Sequence, residues 1–81
     1  MSIYFFDHYA NGDQLLDEEG TDCRDLAAVR VEAMRTLPAI AKDEVANDGD
    51  RQAFTVLVRN EAGQAVYSAT LTFAGLSLAR N

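Results

Sequence analysis

The stretch AFTVLVRNEAGQAVYSATLTF, residues 53–73, decides the fold. Phe54, Val56 and Val58 alternate with Ala53, Thr55, Leu57 and Arg59, the period-two pattern of a strand with two unlike faces. Asn60-Glu61-Ala62-Gly63 then fits a type I turn closed by a glycine in the left-handed region. Val66 to Phe73 returns, with Tyr67, Ala69, Leu71 and Phe73 on one face and Ser68, Thr70 and Thr72 on the other. This is a β-hairpin with strands expected over about 52–59 and 64–73.

Upstream, the chain reads as one long helix over about 26–46. Asp25 is a suitable N-cap, because its carboxylate can accept from the first free backbone N–H groups. Leu26, Val29, Ala33, Leu37 and Ile40 recur at three- and four-residue steps and make one apolar face. Ala27, Met34, Ala41 and Val45 widen it, and Arg30, Glu32, Arg35, Lys42 and Asp43 lie at its margins and on the solvent side. Pro38 interrupts the pattern. It cannot donate to the Met34 carbonyl, so a kink there, or a break into two helices, is expected. Asn47-Asp48-Gly49-Asp50 ends the element.

At the start, Ile3 to His8 is aromatic and β-branched and reads as a strand over about 3–9. Asn11-Gly12 suits a type I′ turn. A short return strand over about 14–17 ends at Glu18-Glu19-Gly20. Residues past Gly75 read as a frayed tail, 76–81. The expected fold class is α+β: β-hairpin, one long helix and β-hairpin, forming a four-stranded antiparallel sheet with the helix packed on one face. Residues 1–81 make one domain.

Both faces of that sheet carry large apolar groups. Tyr4 and Phe6 alternate with Ile3 and Phe5, and Leu57 opposes Phe54, Val56 and Val58. Tyr4, Phe6 and Leu57 are therefore the candidate interface residues, on the face away from the helix. The expected partner is a second copy, in a homodimer, with an unidentified protein partner beyond it.

Composition narrows the function classes. The net charge is −6 and the pI about 4.4, which disfavours nucleic-acid backbones and anionic membranes. The N-terminus shows no basic region followed by an apolar stretch, and no apolar run reaches the ~20 residues of a membrane span. With Cys23 the one cysteine, a reducing cytoplasm is expected.

No catalytic, cofactor-binding or metal-ligating residue is assigned. His8 lies near the end of the first strand with no motif to supply a partner. Cys23 precedes the helix, but Asp22 and Asp25 oppose its thiolate while Arg24 offsets them in part. The acids Asp17, Glu18, Glu19 and Asp22, and then Asp43, Glu44, Asp48 and Asp50, match no EF-hand spacing and read as solvated faces. Tyr4, Phe5 and Phe6 lack the basic groove that a base-stacking platform needs. The leading expectation is a non-enzymatic protein-interaction module that self-associates. The alternative is a small-ligand-binding protein or enzyme with its site at a dimer interface.

One resemblance adds to this. Tyr4-Phe5-Phe6, Asn11-Gly12, Asp17-Glu18-Glu19-Gly20 and Asp25-Leu26-Ala27-Ala28 are followed by Ala41-Lys42-Asp43-Glu44, then Val56 through Gly63, then Leu71-Thr72-Phe73. In that order and spacing the chain resembles a family of uncharacterised small proteins of rhizobia and other alphaproteobacteria. The resemblance runs from about Ile3 to Phe73. It implies a bacterial cytoplasmic protein with the hairpin–helix–hairpin layout, and no catalytic residues. His8, Tyr9 and Cys23 depart from the family's usual pattern.

Overall fold

The computed structural model describes residues 2–79. Its elements, in chain order, are β1 (Ser2–Ala10), β2 (Asp13–Leu15), β3 (Thr21–Cys23), α1 (Leu26–Glu44), β4 (Arg51–Arg59) and β5 (Ala65–Ala74). A single 3-10 turn, Val45–Asn47, follows the helix. Residues 76–79 lie beyond the last strand; residues 80 and 81, part of the expected frayed tail, are outside the described residues.

Local chemistry sets the turns. Asn11 (φ 52°) and Gly12 (φ 92°) both adopt positive φ, as a two-residue type I′ hairpin requires. In the second hairpin the Asn60 carboxamide oxygen accepts from Ala62 N and Gln64 N at 3.0 and 2.9 Å, and the Asn60 carbonyl accepts from Gly63 N at 3.0 Å.

The helix starts where expected, with the Asp25 carboxylate accepting from Ala28 N at 2.9 Å. It runs unbroken through Pro38, so the expected break is absent. The reason lies in placement. Pro38 and Met34 are both exposed, so the turn that loses its hydrogen bond lies on the solvent side of the helix, away from the core.

All strand pairs are antiparallel, in the order β2-β1-β4-β5, with β3 also on β1. Phe6 faces Val58, His8 faces Val56 and Ala10 faces Phe54; across the next ladder Val58 faces Tyr67 and Val56 faces Ala69. These residues form the inner face, under α1. Val29, Ala33 and Leu37 of the helix pack with Phe6, Cys23, Phe54, Val56 and Val58 into one small core. Gln52 is the polar pillar at one end. Its Nε2 donates to the Val45 and Gly49 carbonyls at 2.8 and 2.7 Å, and its Oε1 accepts from Asn11 Nδ2 at 3.1 Å. It fastens the end of the helix to both hairpins.

The sheet has five strands where four were expected. The outer edge of β1 is covered twice. His8–Ala10 pair with β2, and Ser2–Tyr4 pair with the unforeseen β3. The chain between them, residues 16–20, leaves the sheet and returns. Thr21-Asp22-Cys23 has too little apolar periodicity to announce a strand; β1 provides the template.

Candidate functional site

The gap in that edge is filled by a carboxylate knot. Between its two pairings, β1 has no strand along its outer side, and the Phe6 N–H donates instead to Asp17 Oδ2 at 3.0 Å. Asp17 Oδ1 accepts from Glu19 N and Gly20 N, both at 3.1 Å, and so closes the loop on itself. Asp17 N donates to Asp7 Oδ1 at 3.0 Å. Arg59 completes the knot from β4. Its Nε donates to Asp7 Oδ2 at 2.6 Å, and its Nη2 to Asp7 Oδ1 at 3.0 Å and to the Asp17 carbonyl at 3.2 Å. This is a two-pronged, charge-assisted pair of the strong kind.

Asp7 is 1 % exposed although it lies on the outer face, away from the helix, opposite Leu57. The 16–20 loop and the Arg59 guanidinium cover it; the guanidinium also sits over the Phe5 ring at 5.1 Å, a cation–π geometry. The bonds to Arg59 hold the Asp7 carboxyl below its ordinary range, outweighing burial. At Asp17 burial pushes upward, but the backbone N–H groups of Phe6, Gly20 and Glu19 prevail and the carboxyl again lies low. Among the described residues no buried side-chain nitrogen or oxygen lacks a partner.

Gly20 shows how tightly the loop is laid down. It has φ +79°, and a Cβ there would overlap Ile3 Cγ2 and stand 3.1 Å from Phe5 Cε1. Only glycine lets the loop cross these two side chains. Ile3 and Phe5 are half-buried as a result, so part of the outer-face apolar surplus is covered by the chain itself.

The three expected interface residues do not share a surface. Phe6 is in the core at 5 % exposure and Tyr4 packs against that core, both on the inner face; Leu57 is half-buried on the outer face. Both faces of β1 are apolar in sequence, so alternation alone does not choose which goes under the helix; the register with β4 does.

His8, half-buried on the inner face, lines a shallow groove between β2 and α1 with Asp13, Asp43, Glu44 and Asp48. Among the described residues, no three His, Cys, Asp or Glu side chains come together as a metal-holding group. Cys23 is buried at the end of β3. Burial, followed by Glu32, Asp22 and Asp25, pushes its thiol up, so thiolate chemistry is disfavoured there. Asp17, read from sequence as part of a solvated acidic run, is instead the keystone of the knot. In sequence, Asp7 and Arg59 read simply as strand residues; the charge directly after Phe5-Phe6 is the one local signal of the knot.

Among the described residues, no strand pairs with the opposite edge of the sheet. β5 pairs only with β4 and runs ten residues. From Ala62 to Ala79 the chain has no charged residue. Leu71 and Phe73 are 38 % and 42 % exposed on its inner face.

Residues 3–72 match the family described as a domain of unknown function, DUF6894. No curated protein and no solved structure matches the chain.

Proposed function

The chain belongs to the DUF6894 family, and from that premise we propose that it is a non-enzymatic protein-interaction module that self-associates. The observation that carries this reading is the long outer edge of β5, ten residues without a charge, with Leu71 and Phe73 38 % and 42 % exposed on that strand. The charged groups with the strongest contacts, Asp7, Asp17 and Arg59, are spent on holding the fold together, which favours binding over chemistry.

The proposed setting is the cytoplasm of an alphaproteobacterium, following the sequence resemblance. No helix among the described residues is long and apolar enough to cross a membrane, and the acidic surface suits protein partners better than polyanions. Sedimentation equilibrium of the purified chain at micromolar concentration tests the reading. A mass twice 8.9 kDa is the expected result, and a single-chain mass at every concentration refutes it.

A further inference from the structure

We infer that the surface through which two copies meet is the free edge of β5, paired antiparallel with β5 of a second copy about a two-fold axis. This rests on the self-association proposed above and names its site. The first observation is the edge itself. An exposed strand edge presents a row of unpaired N–H and C=O groups that templates another strand, and natural edges are blunted by charges, prolines, bulges or brevity. Over most of its length β5 has none of these: it is ten residues long, lacks charge and proline, and its one irregularity lies at the turn end, opposite Val58/Arg59.

The second observation is charge, and it selects the occupant. Two copies each carrying −6 repel, and like charges placed against one another cost association energy. The stretch Ala62–Ala79 is free of charge in a chain whose composition is 25 % charged. Two copies that pair through β5 bring no charged side chain of that strand against its own copy. The face chemistry also matches itself. An antiparallel two-fold pairing sets inner face against inner face, so the apolar row Tyr67, Ala69, Leu71, Phe73 meets its own copy. On the outer face the hydroxyl row Ser68, Thr70, Thr72 does the same, continuing the Thr55–Thr70 hydroxyl contact of 2.8 Å.

The other edge explains why growth would stop at two. β2 and β3 are three residues each, separated by the 16–20 loop and carrying Asp13 and Asp22. That edge offers no continuous template. A pairing that uses the same patch on both copies closes, whereas edge one against edge two would make a filament.

The test compares the wild-type chain with Ser68→Lys/Thr70→Lys and with Gln14→Lys by light scattering at micromolar concentration. All three positions are exposed. Antiparallel registers centred at residue 69 or 70 set a lysine of the double variant directly against one from the second copy. The double variant also lowers the net charge from −6 to −4, so overall repulsion falls and a loss of the dimer is local to the edge. The expected result is a dimer for wild type and Gln14→Lys, and a monomer with unchanged circular dichroism for the double variant. A wild-type dimer that the two lysines leave intact, or that Gln14→Lys dissolves, overturns the edge assignment while self-association stands. A wild-type monomer overturns both. Should the double variant not fold, hydrogen exchange of the wild type decides. β5 amides should gain protection as concentration rises through the dimerisation range, and protection there that ignores concentration removes the proposal.

Discussion

The two edges of this sheet solve one problem in opposite ways. At the edge formed by β2 and β3 the strand is cut into two pieces of three residues, and the interval is bridged by side-chain carboxylates. Phe6 N–H is served by Asp17 rather than by a neighbouring carbonyl, and Asp7 and Arg59 hold the loop down. At the β5 edge there is one ten-residue strand, irregular only at its turn end, and the stretch Ala62–Ala79 around it carries no charge. An edge closed by its own chain needs polar groups with directional bonds. An edge that pairs with a strand from another molecule, as proposed for β5, needs their absence, because buried charges would have to be desolvated when it pairs.

Removing a polar group should therefore be expensive at the first edge and cheap at the second. The largest effect is expected for Asp7→Ala, which leaves Arg59 without its carboxylate and Asp17 N without its acceptor. A loss of about 3 kcal/mol in urea unfolding is predicted, and a loss below 1 kcal/mol would show that the knot does not hold the edge. Gly20→Ala comes next. Positive φ and the collision with Ile3 should cost about 2 kcal/mol, and unchanged stability would mean the loop does not lie across Ile3 and Phe5.

Acid should loosen the same edge more gently, since a protonated carboxyl still accepts hydrogen bonds. Asp7 and Asp17 both titrate below their ordinary range when folded. The unfolded chain then binds more protons as pH falls, so their stabilisation is full above about pH 5 and is lost below about pH 4, through the folded values. The melting temperature of the wild type should drop across that window, and Asp7→Asn should flatten the drop; an equal slope in the variant would assign the acid sensitivity elsewhere. The smallest effect is expected for Thr70→Val. It deletes the hydroxyl contact to Thr55 on an exposed position, and should shift unfolding by no more than about 0.5 kcal/mol. A cost like that of Asp7→Ala would erase the contrast between the edges.

Much of the first edge was hidden from the sequence. Asp17 belongs to a run of acids that reads as solvated, and Thr21–Cys23 carries no strand pattern, so neither the fifth strand nor the knot was legible. The second edge was legible as a strand, since Val66 to Phe73 alternates cleanly, but nothing local says that a strand lies at the rim of a sheet.

By itself the sequence determined what neighbouring residues settle among themselves. Asn11-Gly12 made the first turn, Asn60 to Gly63 the second, Asp25 the helix start, and the period-two run from Ala53 the strongest strand. These choices depend on backbone preference and bonds within a few residues. Tertiary structure decided which face of β1 meets the helix, where Asp7 goes and how the outer edge is closed. Phe6 faces Val58, and Asp7 bonds Arg59, across about fifty residues of chain. A slip of one residue in that register would exchange the faces and leave the local sequence pattern unchanged.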